Sequence, residues 1–264
     1  MRDRSPVTDE AWAQIDQEAT RTLKHFMAAR RLIDFKGPYG WDYSAVGLGR
    51  VKALGDGPVG GVNAAAREVR PLVELRSPFS MSLAELYAAD RGATDLDLQA
   101  VIDAARNAAM AEDMAIFHGY AAGGIAGIAT SSPHHPVEIS DDYGKYPTHV
   151  AKAVAILQAA SIGGPYAIAL GARCYTGVIE STEHGGYPVF EHLHQILGGP
   201  VVWAPAVDGA VVLSQRGDDF VMTVGEDLSI GYQSHDSTSV QLYLEESLTF
   251  QINTPEAAVH LAYR

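Results

Sequence analysis

Histidine is the side chain that most often does acid–base or metal chemistry near neutral pH, and this 264-residue chain carries ten of them. Their spacing does not converge on a centre. His134 and His135 are adjacent, so their side chains diverge. His192 and His194 are two apart on a predicted helix and point about 200° away from one another. No H-E-x-x-H, cysteine pair or calcium loop occurs. Cys174 is the single cysteine, which excludes an intrachain disulfide and a cysteine metal knuckle. It has no nucleophile signature around it and reads as a small buried hydrophobe. Glu112-Asp113 is a carboxylate pair in mid-helix. Neighbouring helix positions point apart, so the two do not share an acid–base site, and either is free to pair with an arginine from another element. A G-x-S-x-G elbow is absent. Gly47-x-Gly49 lacks the third glycine and the helix that a dinucleotide fingerprint needs, and Gly123–Gly127 follows a helix where a phosphate loop follows a strand. The residues therefore offer no catalytic group, no metal ligand set and no cofactor motif.

The composition narrows the class. The net charge of −13 repels phosphate backbones and argues against nucleic acid as a ligand. A hydrophobic fraction of 47% with 19% charged residues is that of a globular chain. The amino terminus lacks the apolar stretch of a signal peptide, and no run approaches a membrane span, so a cytoplasmic protein with no membrane contact is expected.

Several elements are legible. Residues 8–31 read as an amphipathic helix capped by Thr8, with Trp12, Ile15, Ala19, Leu23, Phe26 and Met27 on one stripe. The segment 37–43 reads as a packed turn with three aromatic anchors. Residues 47–66 hold six glycines and Pro58 and cannot bury a core of their own; they read as an extended arm or long hairpin that needs a neighbour, or as a disordered loop. A strand is predicted over 72–83. The longest helix is predicted over 94–118, capped by Thr94 with Asp97 three residues on. An α/β segment spans about 131–222, with helices near 147–161, 173–181 and 189–197 and strands at 166–170, 201–204 and 210–214. The tail adds strands at 220–224, 228–232, 239–245 and 248–252, giving an α+β chain.

Seven blocks in order carry a family resemblance. They are Arg31-Leu32-Ile33-Asp34-Phe35-Lys36-Gly37-Pro38-Tyr39-Gly40-Trp41-Asp42-Tyr43; Pro71–Arg76; Glu112-Asp113 through Gly119; Gly164-Pro165-Tyr166 with Gly186-Tyr187-Pro188; Glu226–Tyr232; Glu246–Gln251; and Pro255-Glu256-Ala257. The chain resembles the encapsulins, the linocin-like shell proteins of bacterial nanocompartments, over nearly its full length. The resemblance implies an HK97-like capsid fold with a peripheral domain, an axial α/β domain and an extended loop. Placed on this sequence, residues 1–46 hold the N-terminal helix and the start of the peripheral domain. Residues 47–70 form the extended loop, 71–130 the peripheral domain with its spine helix, 131–222 the axial domain, and 223–264 complete the peripheral domain. It further implies self-assembly into an icosahedral shell of roughly 60 copies.

The same resemblance implies sites. An enclosed enzyme, a ferritin-like iron oxidase or a dye-decolourising peroxidase, docks by a C-terminal targeting peptide. By position, Phe26, Arg31, Asp34, Asp227, Ile230 and Tyr232 would receive it. Glu183, His184, Gly185, Gly186 and Tyr187 would line a five-fold pore that favours cations. Some members carry a flavin-associated aromatic on a strand near position 84; here it is Ala84, and no flavin is expected. Two alternatives remain at this point: a phage capsid protein that packages nucleic acid, and a bacteriocin- or peptidase-like enzyme.

Overall fold

The computed structural model describes residues 2–183 and 185–263. The chain runs through α1 (Asp9–Phe26), β1 (Asp34–Lys36), β2 (Ala45–Asp56), β3 (Asn63–Pro71), β4 (Val73–Ser82), α2 (Leu83–Asp90), α3 (Gln99–Phe117), β5 (Gly119–Tyr120), β6 (Ile125–Ala126), α4 (Ile128–Ser131), β7 (Val137–Ile139), α5 (Tyr146–Ala159), β8 (Tyr166–Leu170), α6 (Ala172–Glu180), α7 (Val189–Leu197), β9 (Val201–Trp203), β10 (Ala210–Ser214), β11 (Phe220–Val224), β12 (Ser229–His235), β13 (Ser239–Ile252) and β14 (Ala258–Tyr263).

Two five-stranded sheets organise these elements. In the first, the long β13 pairs antiparallel with β12, β11 and β4, and β1 lies parallel to β11. The second has the order β7-β14-β10-β8-β9. Every residue of β8 and β10 is buried. Continuous apolar runs such as Tyr166–Leu170 suit strands covered on both faces. Two apolar clusters form the core. One gathers Trp12, Ile15 and Ala19 of α1 with Leu86, Val101, Ala105, Leu242 and Leu244. The other gathers the second sheet with Phe250, Met222, Leu32 and the end of α3, Ala115–Phe117. Helix α3 thus contributes its first half to one cluster and its last turn to the other. Its alanines let both layers approach closely.

The sequence reading is altered at several points. α1 stops at Phe26, five residues short of the predicted end, because Met27 turns to an extended conformation. The next two N–H groups, Ala28 and Ala29, donate to the Asp113 carboxylate at 2.9 Å each in place of helical carbonyls. The helix predicted from Thr94 begins at Gln99, whose N–H is received by Asp97 at 3.1 Å. A helix not foreseen, α2, follows β4 directly, capped by Ser82 Oγ, which accepts from Ala84 N–H at 3.2 Å. Ala84 therefore sits in a first helical turn and not on a strand. The strands expected at 239–245 and 248–252 are one continuous β13. Strand β14 was missed altogether. It leaves the first sheet and enters the second between β10 and β7, so the segment 223–264 is shared between the two sheets. Gly209, with φ +74°, admits this insertion: a Cβ there would collide with the Leu261 carbonyl.

The glycine-rich segment is an ordered hairpin. β2 and β3 pair only with each other, with register shifts between Gly47 and Val51 and between Ala53 and Gly55. Gly49 and Gly55 have φ of +69° and +92°, the conformation that bulges of this kind require. Val51, Leu54, Val59, Val62 and Val69 are all exposed along it.

Candidate docking groove and pore loop

Segment 27–36 joins α1 to the first sheet and is tied to the rest of the chain through Asp113 and the Arg30 guanidinium. Arg30 lies in a single 3-10 turn, Ala29–Arg31, that Asp113 caps through the two N–H groups named above. From there its fork reaches three carboxylates. Nε donates to both oxygens of Glu112, Nη2 donates to Glu112 Oε2 at 2.7 Å and Glu246 Oε2 at 3.0 Å, and Nη1 donates to Asp227 at 2.7 Å. The Phe35 ring lies 5.0 Å from its central carbon. Glu112 and Glu246 are 0% and 1% exposed. Burial opposes the Arg30 charge, yet Glu112, Glu246 and Asp227 more than offset it and raise its affinity for its proton. Burial pushes Asp113 up to about 7, against the pull of its two N–H donors. Burial, and then Glu112, push the Glu246 carboxyl well above the usual carboxylate range, against the pull of Arg30. The opening that sequence left for Glu112, a pairing with an arginine of another element, is realised. The convergence of Arg30, Glu112, Glu246 and Asp227 is not readable from spacing, because the three acids lie 82 to 216 residues beyond Arg30 in chain order.

The six residues placed on the docking site by resemblance fall into two neighbourhoods. Arg31 and Asp34 line a cavity of ≈ 200 Å³ with Leu32, Ser214, Gln215 and Asp219. Arg31 also borders a second cavity of ≈ 370 Å³ formed by Lys24, His25, Tyr175, Val201 and Trp203. Phe26 packs its ring on Trp203, 5.4 Å between centroids, and His25 stacks on the same indole at 4.8 Å. These three expected residues therefore follow one groove between the end of α1 and the second sheet. Trp203 and His25 belong to it and were not foreseen. Resemblance alone pointed to Phe26, and Trp203 sits in a run that reads only as a strand. Ile230 instead borders a cavity of ≈ 460 Å³ with Arg2, Trp41, Arg76 and Tyr243. Tyr232 stands two residues on, its hydroxyl 2.6 Å from His235 Nδ1. Asp227 is held by Arg30, at the junction between the two neighbourhoods.

The loop after α6 is closed on itself. Glu183 N–H donates to the Tyr187 carbonyl and Gly186 N–H to the Glu183 carbonyl, both at 2.9 Å. Gly185 and Gly186 have φ of +111° and +81°, which this tight return requires. Glu183 Oε2 lies 3.0 Å from His192 Nδ1 on α7, and the Tyr187 hydroxyl accepts from Gln195 at 2.8 Å. His184 lies outside the described residues. His194 turns away to the Gly199 carbonyl, so the two α7 histidines diverge as their spacing predicted. Among the described residues no group of three His, Cys, Asp or Glu side chains is placed to hold a metal ion. No helix among them is long and apolar enough to cross a membrane.

Two five-stranded sheets, a long helix that serves both cores and a free-standing hairpin make up a capsid-type fold. The virus-like particle of Pyrococcus furiosus has the same fold, with a TM-score of 0.69 over 95% of this chain and 98% of that one at 16% identity. The capsid of Myoviridae phage XM1 superposes with a TM-score of 0.55 over 88% and 90% at 11% identity. At the sequence level, residues 1–249 match the family described as encapsulating protein for peroxidase. The type 1 encapsulin shell protein of Rhodospirillum rubrum is 50% identical over 99% of this chain and 95% of its own length. The chain belongs to the encapsulin shell-protein family, and it is a structural shell subunit, not an enzyme.

Proposed function

We propose that roughly 60 copies of the chain close into an icosahedral compartment in the bacterial cytoplasm and enclose an oxidative enzyme, a dye-decolourising peroxidase or a ferritin-like iron oxidase, held by its C-terminal peptide. The peroxidase in the family's description supports the first of these. The observation that carries the docking reading is the groove along Phe26, Arg31 and Asp34. It offers an apolar floor at Trp203 and Phe26 with a cation and a carboxylate at its rim. That pattern suits an extended peptide, whose apolar anchors supply affinity while rim charges set register. Asp227, Ile230 and Tyr232 extend the surface toward the first sheet.

Co-expression with a peroxidase that bears its native C-terminus tests this. Closed particles with enzyme inside are expected by electron microscopy and sedimentation. The double variant Arg31→Glu/Asp34→Lys should assemble but retain at least about tenfold less enzyme, the equivalent of about 1.4 kcal/mol. Equal loading would remove these residues from the site, and a monodisperse monomer would remove the shell. Particles filled with nucleic acid, seen in the ultraviolet absorbance ratio, would favour genome packaging.

The loop Glu183–Tyr187 is proposed to surround the five-fold opening. A ring of Glu183 carboxylates there favours cation entry. Glu183→Ala should slow uptake of a divalent metal ion into filled shells by several-fold, measured by stopped flow. An unchanged rate would show that Glu183 does not face the passage.

A further inference from the structure

The junction around Arg30 carries more negative charge than its position allows. One guanidinium faces Glu112, Glu246 and Asp227, and Asp113 lies one residue from Glu112 on the same helix. Asp227 keeps access to water, with 41% of its side chain exposed, and Asp113 has two backbone N–H donors. Glu112 and Glu246 have neither advantage. Both are almost fully buried, both touch the same Nη2 of Arg30, and their carboxyl groups lie within hydrogen-bonding reach of one another. Glu246 Oε1 is buried with no hydrogen-bond partner among the described residues. A carboxylate left in that state costs several kcal/mol, and like charges sharing one cation cannot both stay ionised cheaply. Neighbouring Glu245 does not relieve this, because it turns to Arg76.

We propose that Glu112 and Glu246 form a buried proton-binding site, one shared proton bridging the two carboxyl groups at neutral pH and latching the N-terminal segment to the spine helix and to β13. With that proton, Glu246 becomes a donor toward Glu112, and Arg30 faces Glu112 and Asp227 as its two anions. Without it, two carboxylates repel across a single guanidinium. The segment that yields is 27–36 with α1 behind it, since Arg30 is its anchor to α3 and β13. The charged groups that face Glu246 are Arg30 from the 3-10 turn, Glu112 from α3 and Asp227 from the loop before β12.

The sign follows from linkage. A carboxyl whose affinity for its proton is raised by folding contributes most at acid pH, and that contribution is lost as pH rises toward and through its folded-state value. Asp113, raised to about 7, acts in the same direction and must be separated. The test is hydrogen exchange of assembled shells between about pH 6 and about pH 9, with intrinsic rates divided out, read on peptides covering 9–36. Protection in the wild type is expected to fall by up to tenfold per pH unit for each proton released. Glu246→Gln and Glu112→Gln should each remove one proton from that slope, leaving the part due to Asp113. An Asp113→Asn background isolates the pair in a second measurement, infrared absorption of protonated carboxyls at about pH 7. A band should be present there and vanish when Glu246→Gln is added. A slope unchanged by Glu246→Gln, or no Glu246-dependent band, overturns the proposal.

Discussion

The β2–β3 hairpin and the Arg30 junction are opposites in how they satisfy their own groups. The hairpin pairs its backbone within itself, yet Val51, Leu54 and Val59 are 64%, 62% and 68% exposed, so it gains almost nothing by burial in its own chain. An isolated two-stranded hairpin is marginal in water. The junction gathers three carboxylates, two of them buried, around one guanidinium of the same chain, with partners drawn from four separate segments. On the proposed reading the hairpin is the surface that another copy completes, and the junction is a joint that the chain completes by itself. Breaking each region should then fail in a different way.

Excision of the hairpin is the larger break. Replacing residues 48–68 by Asn-Gly keeps the Val46–Arg70 and Gly47–Val69 pairs next to a two-residue turn. Assembly should be lost, with no closed particles in sedimentation or electron microscopy. Neither apolar core cluster contains a hairpin residue, so far-ultraviolet circular dichroism and cooperative unfolding should persist. Closed particles from this variant would show that the hairpin is an ornament. An unfolded chain would show that it is part of the core.

Much of this division was legible in the sequence. Alternation and capping located the start of α1 and all of β8, α7, β10 and β11 to within a residue or so, because Thr8, the Gly163-Gly164-Pro165 stop and the fully apolar runs are local signals, while the end of α1 lies five residues before the expected one. The glycines of the arm left hairpin and disorder open. Only the register shifts at Gly49 and Gly55 show that they build bulges. What failed was non-local. β14 has no pattern that assigns it to the second sheet, since its partners β10 and β7 lie about fifty and over a hundred residues earlier in the chain. The true start of α3 was missed because Thr94 is a good cap in isolation, while residues 95–98 run without regular structure and Asp97 receives the Gln99 N–H at the actual start. On the functional side, resemblance supplied Arg31 and Asp34, but Arg30 beside them is the residue that organises the region. A pair of arginines reads identically in sequence until its partners are in place.

Arg30→Met tests the other side of the comparison and should have the smaller effect. Methionine keeps the apolar stem beside Phe35 and removes the charge. It leaves Glu112 and Glu246 buried without their cation, and breaking a buried ion pair from one side costs about 3–5 kcal/mol. Denaturant unfolding of the subunit should report that loss, with part recovered in Arg30→Met/Glu246→Gln, because the second change removes one stranded carboxylate. The hairpin is untouched, so shells should still close below the lowered unfolding midpoint. This is the reverse of the excision phenotype, in which the fold survives and the shell does not. If Arg30→Met instead abolished closure at full subunit stability, the junction would belong to the contacts between copies, and the distinction between finished joints and unfinished edges would have to be redrawn.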